Sequence, residues 1–112
     1  MIVEDEVLIA LDIQETLELA GYSAIGPFVT NAAALRQIHE HLPSAAILDI
    51  NLGRELSFPI ADALAEAQVP FVFVSAYGRE SLPAAYGGRP LLSKPLPPHR
   101  LIEQIRLLIG AD

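Results

Sequence analysis

Five residues of this 112-residue chain have types and places that could do chemistry together: Glu4, Asp5, Asp49, Ser75 and Lys94. Each follows a short apolar run: MIV before Glu4-Asp5, AAIL before Asp49, FVFV before Ser75, and RPLLS before Lys94, the only lysine. Side chains at the carboxyl ends of neighbouring parallel strands converge on one crevice, so residues far apart in the chain can build one site. Three carboxylates, a hydroxyl and an ammonium gathered there suit a divalent cation and the formation of an aspartyl phosphate.

Asp49 is the candidate nucleophile, because a carboxylate can accept a phosphoryl group as an acyl phosphate. Charge is the obstacle. The acceptor and the donor phosphate are both anionic, and Glu4 and Asp5 add to the repulsion unless a cation lies between them. Mg²⁺ takes oxygen ligands and bridges one or two carboxylates to phosphate oxygens. Lys94 would neutralise another phosphoryl oxygen as a mobile point charge. The Ser75 hydroxyl and the Ala76 backbone amide could donate to a third. Positioning and charge neutralisation supply nearly all the catalysis in phosphoryl transfer.

The elements that must position these groups alternate along the chain. After the short first strand, residues 7–20 read as a helix with Ile9, Ile13, Leu17 and Ala20 in one stripe and Gly21 past its end. Residues 22–28 read as a strand, with Pro27 suiting an edge. A helix over 31–42 is opened by Thr30 or Asn31 and turns Leu35, Ile38 and Leu42 inward. Residues 45–48 and 71–74 are apolar on both faces, as in a parallel sheet covered by helices on both sides. Residues 50–57 read as a loop, 58–67 as a helix with Pro59 in its first turn, and Leu91-Leu92 as a last short strand. The final helix, 97–109, has Leu101, Ile102, Ile105, Leu108 and Ile109 on one face and Gly110 as its stop. Between Ser75 and Lys94 stand Gly78, Pro83, Gly87, Gly88 and Pro90, which limit a fourth helix to one or two turns near 81–86.

The sum is an α/β fold, a doubly wound five-stranded parallel sheet in the order 2-1-3-4-5 with a short or irregular fourth helix. The length predicts one domain over residues 1–112. That order puts the first strand at the sheet centre, where three apolar residues are few, as in a trimmed or late-starting chain. A formal charge of −7, with seven scattered basic residues, speaks against nonspecific nucleic-acid or anionic-membrane binding. With no cysteine, disulfides and thiolate metal sites are excluded. Neither a signal sequence nor a spanning apolar run is visible, so a cytoplasmic domain without membrane insertion is expected. His39 and His41 lie two apart on a helix, share no face, and predict no metal site.

The motifs, in their order and spacing, resemble the receiver domain of two-component response regulators over essentially the whole length. VEDE (3–6) resembles the acidic-pair motif, LDINL (48–52) the phosphoacceptor loop, VSA (74–76) the hydroxyl turn and SKP (93–95) the lysine-proline motif. The resemblance implies a flavodoxin-like fold, Asp49 as phosphoacceptor, and Mg²⁺ held by Asp5, Asp49 and the Asn51 backbone carbonyl, with Glu4 acting through water. It also implies a cis Lys94–Pro95 bond, and a sensor histidine kinase or histidine phosphotransfer protein as donor. No enzymatic turnover is expected beyond self-phosphorylation and self-dephosphorylation. The stretch FVSAYG (73–78) is similar to the FATGUY subgroup of stand-alone receivers, with Ser for Thr and Ala76 for Gly. That subgroup implies alphaproteobacterial stress signalling and a poorly formed fourth helix.

One departure bears on how the signal leaves the site. Most receivers carry Tyr or Phe three residues before the lysine, a ring that moves inward when the hydroxyl residue engages phosphate. Here that position is Leu91, and Tyr77 is the nearest substitute. Arg54 and Glu55 follow Gly53 in what reads as an exposed loop, available to touch a partner or nothing. The downstream partner is not named by the sequence. No output segment follows residue 112, so the expectation is a stand-alone regulator, a phosphate relay or sink, or a domain cut from something larger. A Mg-dependent phosphohydrolase of the haloacid-dehalogenase type is a second reading. It wants an acid two residues after the nucleophile, where this chain has Asn51, and further acids and a cap domain that are missing. The third is a pseudo-receiver binding module, against which the complete set of acids, hydroxyl and lysine argues.

Overall fold

The structure, a computed structural model, describes residues 1–76 and 82–110. Four strands form one parallel sheet in the order β1-β2-β5-β6: β1 (Ile2–Val3), β2 (Ala46–Asp49), β5 (Phe71–Ser75) and β6 (Leu91–Ser93). Between β2 and β5 a two-stranded sheet is made by β3 (Asn51–Leu52) and β4 (Glu55–Leu56). The helices are α1 (Val7–Leu19), α2 (Asn31–Glu40), α3 (Phe58–Glu66) and α4 (Pro98–Ile109). The Cα radius of gyration is 12.7 Å.

Strand alternation divides the core into two layers. Phe71, Phe73 and Leu48 turn to one face, where Ala34 and Ile38 of α2 and Ile60, Ala61 and Leu64 of α3 cover them. Val72, Val74 and Ile47 turn to the other, under Ile13 and Leu17 of α1 and Leu101 and Ile105 of α4. Both faces of β2 and β5 are thus buried, which is why these strands are continuous apolar runs. Each fully buried large side chain contributes roughly 1.5–3 kcal/mol.

Several expectations are corrected. The strand expected over 22–28 is reduced to a single bridge, Phe28 to Val3, held by hydrogen bonds between Ile2 and both Ile25 and Phe28 and between Glu4 and Phe28. Pro27 has no N–H for a ladder, and Gly26 sits at φ +114°, where a Cβ would come within 2.6 Å of the Ile2 carbonyl oxygen. The doubly wound order survives, with four regular strands instead of five. Residues 50–57 are no plain loop, since Asn51 pairs with Leu56 and Leu52 with Glu55 across a Gly53-Arg54 turn. Leu42 faces outward, 49% exposed, because α2 ends at Glu40 and His41 is extended. Ala20 caps α1 and is exposed in the same way, and Ile109, at the end of α4, is 39% exposed.

Local signals explain the helix bounds. Thr30 is the N-cap of α2, its side chain accepting from the Ala33 amide at 3.2 Å. Pro59 and Pro98 stand in the first turns of α3 and α4, where the missing N–H costs nothing. Gly110, left-handed at φ 75°, ends α4. After the expected fourth-helix start, which lies outside the described residues, the chain makes one 3₁₀ turn, Ala84–Tyr86.

Candidate functional site

The carboxyl ends of β1, β2, β5 and β6 lie side by side and gather the residues singled out in the sequence. Val3 pairs with Leu48 and Asp49 with Val74, so Glu4, Asp5 and Asp49 emerge on adjacent strands. Ser75 pairs with Ser93, and the Lys94 amide donates to the Ser75 carbonyl at 2.9 Å. Carboxylate oxygens of Glu4, Asp5 and Asp49 lie within 4.8 Å of one another. The Lys94 ammonium reaches into this cluster, 3.0 Å from Glu4 Oε1, 3.1 Å from Asp49 Oδ2 and 3.2 Å from Glu6 Oε1. The Lys94–Pro95 peptide is cis.

Burial sets the electrostatics. Glu4 is 1% exposed and Asp49 4%. Burial, then the neighbouring Asp49 carboxylate, pushes the Glu4 carboxyl up to about 7, against the opposing pull of the Glu6 amide and Lys94. The Glu6 N–H donates to Glu4 Oε2 at 3.1 Å. Lys94 loses solvation too, but the Glu4 and Asp49 carboxylates outweigh that loss and hold the ammonium above its usual range. One cation against three buried or half-buried acids leaves a net negative pocket. An oxygen-only donor set of that charge fits a hard divalent ion such as Mg²⁺. Glu4 Oε1 is buried, and its contact is the ion pair with Lys94.

Asn51 opens β3 two residues after the acceptor position, and its amide donates to Asp49 Oδ1 at 3.4 Å. Gly53, at the hairpin tip, faces Asp5: a Cβ there would stand 3.6 Å from Asp5 Oδ2. Ser75 ends β5 and is buried, and Ala76 follows it at the surface.

A family model described as "Response regulator receiver domain" matches residues 1–106. The chain belongs to that family. It is 33% identical over 105 residues to the phyllosphere-induced regulator PhyR of Methylorubrum extorquens, covering 88% of this chain and 38% of that protein. The chain therefore spans well under half the length of that curated relative. The solution structure of SdrG from Sphingomonas melonis Fr1 superposes with TM-score 0.84 at 38% identity, covering 96% of this chain and 92% of SdrG. The BeF3-activated conformation of SdrG, from Pseudomonas melonis Fr1, superposes at 0.81 with the same identity and coverage. Among the described residues no helix of this receiver is long and apolar enough to cross a membrane.

The receiver departs from sequence expectation at its margins. Glu6 was not singled out, yet it is the third acid on Lys94. Its place in the acidic stretch VEDE is the signal that could have found it. Glu55 is half-buried and bound to Asn31, where the sequence suggested an exposed loop. Leu91 opens β6 opposite Phe73 and packs on the core. Tyr77 lies outside the described residues. A different ring, Tyr86, fills the layer beside α3. It stacks on Phe58 at 5.8 Å and 9°, meets Phe73 edge-on at 5.5 Å, and donates its hydroxyl hydrogen bond to Asp62.

Proposed function

We propose that this receiver accepts a phosphoryl group on Asp49 from a sensor histidine kinase or a histidine phosphotransfer protein, in the cytoplasm. The carrying observation is the Lys94 ammonium held 3.1 Å from Asp49 beside three clustered carboxylates, two of them buried. In this reading Asp5, Asp49 and the Asn51 backbone carbonyl hold Mg²⁺, with Glu4 acting through water. The ion would supply the positive charge that lets an anionic donor approach an anionic acceptor.

An Asp49 carboxylate oxygen attacks phosphorus as the bond to the donor imidazole breaks. Lys94 exchanges its contacts with Glu4 and Glu6 for a phosphoryl oxygen, which its flexible stem allows. The Ser75 hydroxyl and the Ala76 amide hold a further oxygen. The acquired charge of roughly −2 then shifts the segment after Ser75 and, with it, the face of the last strand and helix. Tyr77, outside the described residues, is the candidate to take the place of the ring missing at Leu91. The likeness to SdrG, for which a BeF3-activated conformation is known, supports this reading. The output is a changed affinity for a protein partner, with no direct nucleic-acid contact; the domain itself turns over only its own phosphoryl group.

Radiolabelled phosphoryl transfer from a histidine kinase tests the assignment. Label is expected on the wild-type chain and absent in Asp49→Asn. Label persisting in that variant, with the same lability to hydroxylamine, would remove Asp49 from the role.

A further inference from the structure

Glu55, expected in an exposed loop to touch a partner or nothing, instead bonds through both carboxylate oxygens to Asn31. Its Oε2 accepts from the Asn31 main-chain N–H at 3.1 Å, and its Oε1 accepts from Asn31 Nδ2, also at 3.1 Å. The same Nδ2 donates to the Leu56 carbonyl at 2.9 Å. Asn31 is the first residue of α2, so its main-chain N–H is one of the donors a helix leaves open, at the end where a negative charge is favoured. One carboxylate and one carboxamide thus fasten β4 to the start of α2.

The other attachments of this hairpin lead to the acidic pocket. Its base is closed by the Ser57 amide on the Ile50 carbonyl at 2.9 Å, and Ile50 is the neighbour of Asp49. Asn51 pairs directly with Leu56 and Leu52 with Glu55, and the tip residue Gly53 lies against Asp5. A ladder of two residues by two is marginal without outside support. Leu52, buried in the core, gives one such support, and the Asn31 bonds give another, on the strand that pairs with Asn51.

We propose that Glu55 is a positioning residue for the divalent-cation site: by clamping β4 to α2 it fixes where the Asn51 carbonyl and the Gly53 tip stand relative to Asp5 and Asp49. This rests on the assignment of the cation to Asp5, Asp49 and Asn51. Outer groups that orient ligands typically change metal affinity by about 10–100-fold when removed.

The test is a Mg²⁺ titration of the full chain followed by amide NMR shifts, with melting temperature and Asn51 amide exchange measured without the ion. Glu55→Ala is expected to weaken Mg²⁺ binding about tenfold. Asn31→Ala should do the same, and the double variant should be no weaker than either single one, because both remove one clamp. Glu55→Gln keeps the shape and part of the hydrogen bonding, so an intermediate affinity and faster Asn51 exchange are expected in a well-folded protein. A wild-type Mg²⁺ affinity in Glu55→Gln and Glu55→Ala, with only the melting temperature lowered, would reduce Glu55 to a stabilising contact. Absence of Mg²⁺ binding by the wild-type chain would overturn the cation assignment and this proposal together.

Discussion

The two sides of the crevice are held in different ways. On the acidic side, Glu4, Asp49 and the hairpin are placed by polar contacts: ion pairs from Lys94 to Glu4, Glu6 and Asp49, the Glu6 and Asn51 amides on carboxylates, and Glu55 on Asn31. On the far side, rings pack against the segment 82–90, and the Phe73 amide donates to the Pro90 carbonyl at 3.0 Å. Tyr86 packs on Phe58, Phe71 and Phe73, and the Arg89 guanidinium lies 4.5 Å over the Phe71 ring. Directional bonds suit the proposed role, in which these groups would meet an ion and a phosphoryl oxygen. Ring contacts lack the short-range charge constraint of the acidic side, which suits a segment proposed to shift on phosphorylation. The Tyr86 hydroxyl on Asp62 is the one described polar latch between the 3₁₀ turn and α3.

If this contrast is sound, damage to each side has its own signature. Tyr86→Ala should have the largest effect on stability, about 3–5 kcal/mol, because it empties a buried ring site. Chemical denaturation measures the loss, and Mg²⁺ affinity of the folded fraction should stay at the wild-type value. A matching loss of Mg²⁺ affinity would mean that the rings also position the pocket.

Lys94→Met should be smaller, about 2 kcal/mol without Mg²⁺, since it leaves Glu4 and Asp49 facing each other without their cation. The loss stays moderate because Glu4 can take up a proton. Added Mg²⁺ should restore more melting temperature to Lys94→Met than to Tyr86→Ala. Equal restoration would erase the distinction.

The third signature is the response to pH. Folding raises the Glu4 pKa to about 7. The folded chain then keeps a proton that the unfolded chain releases, so the Glu4 contribution to stability is full below the unfolded pKa, about 4.5, and is lost as pH rises to about 7. Mg²⁺ binding runs the other way. It requires the ionised carboxylate, so affinity should rise up to about tenfold per pH unit across that window and level off above it. Calorimetric titrations at several pH values read this slope, and Glu4→Gln should flatten it. A slope unchanged in Glu4→Gln would assign the proton to another group.

Much of the site was legible in sequence because its members sit at strand ends. A strand end is marked by an apolar run stopping, and register carries the residue after each run to the same edge. Glu4, Asp5, Asp49, Ser75 and Lys94 were found that way. The residues that escaped depend on contacts without a local pattern. Glu6 is one acid among several until Lys94 is seen beside it, and Glu55 looks exposed until α2 is placed next to the hairpin. The hairpin itself had a local cue, the two-residue Gly53-Arg54 turn, but a two-residue strand is too short for alternation to register.

Taken alone, the chain determined the α/β class, the two buried strands, a helix start at Thr30 or Asn31, the helix stop at Gly110, and the set of strand-end groups, because each follows from periodicity or from one residue's backbone preference. Tertiary structure decided what those local rules do not reach. It dissolved the second strand where Gly26 and Pro27 meet β1, tied Glu55 to Asn31 across 24 residues, and placed Tyr86 among rings from α3 and β5. Each of these outcomes is a packing between segments distant in sequence, and its energy exists only once both segments are in place.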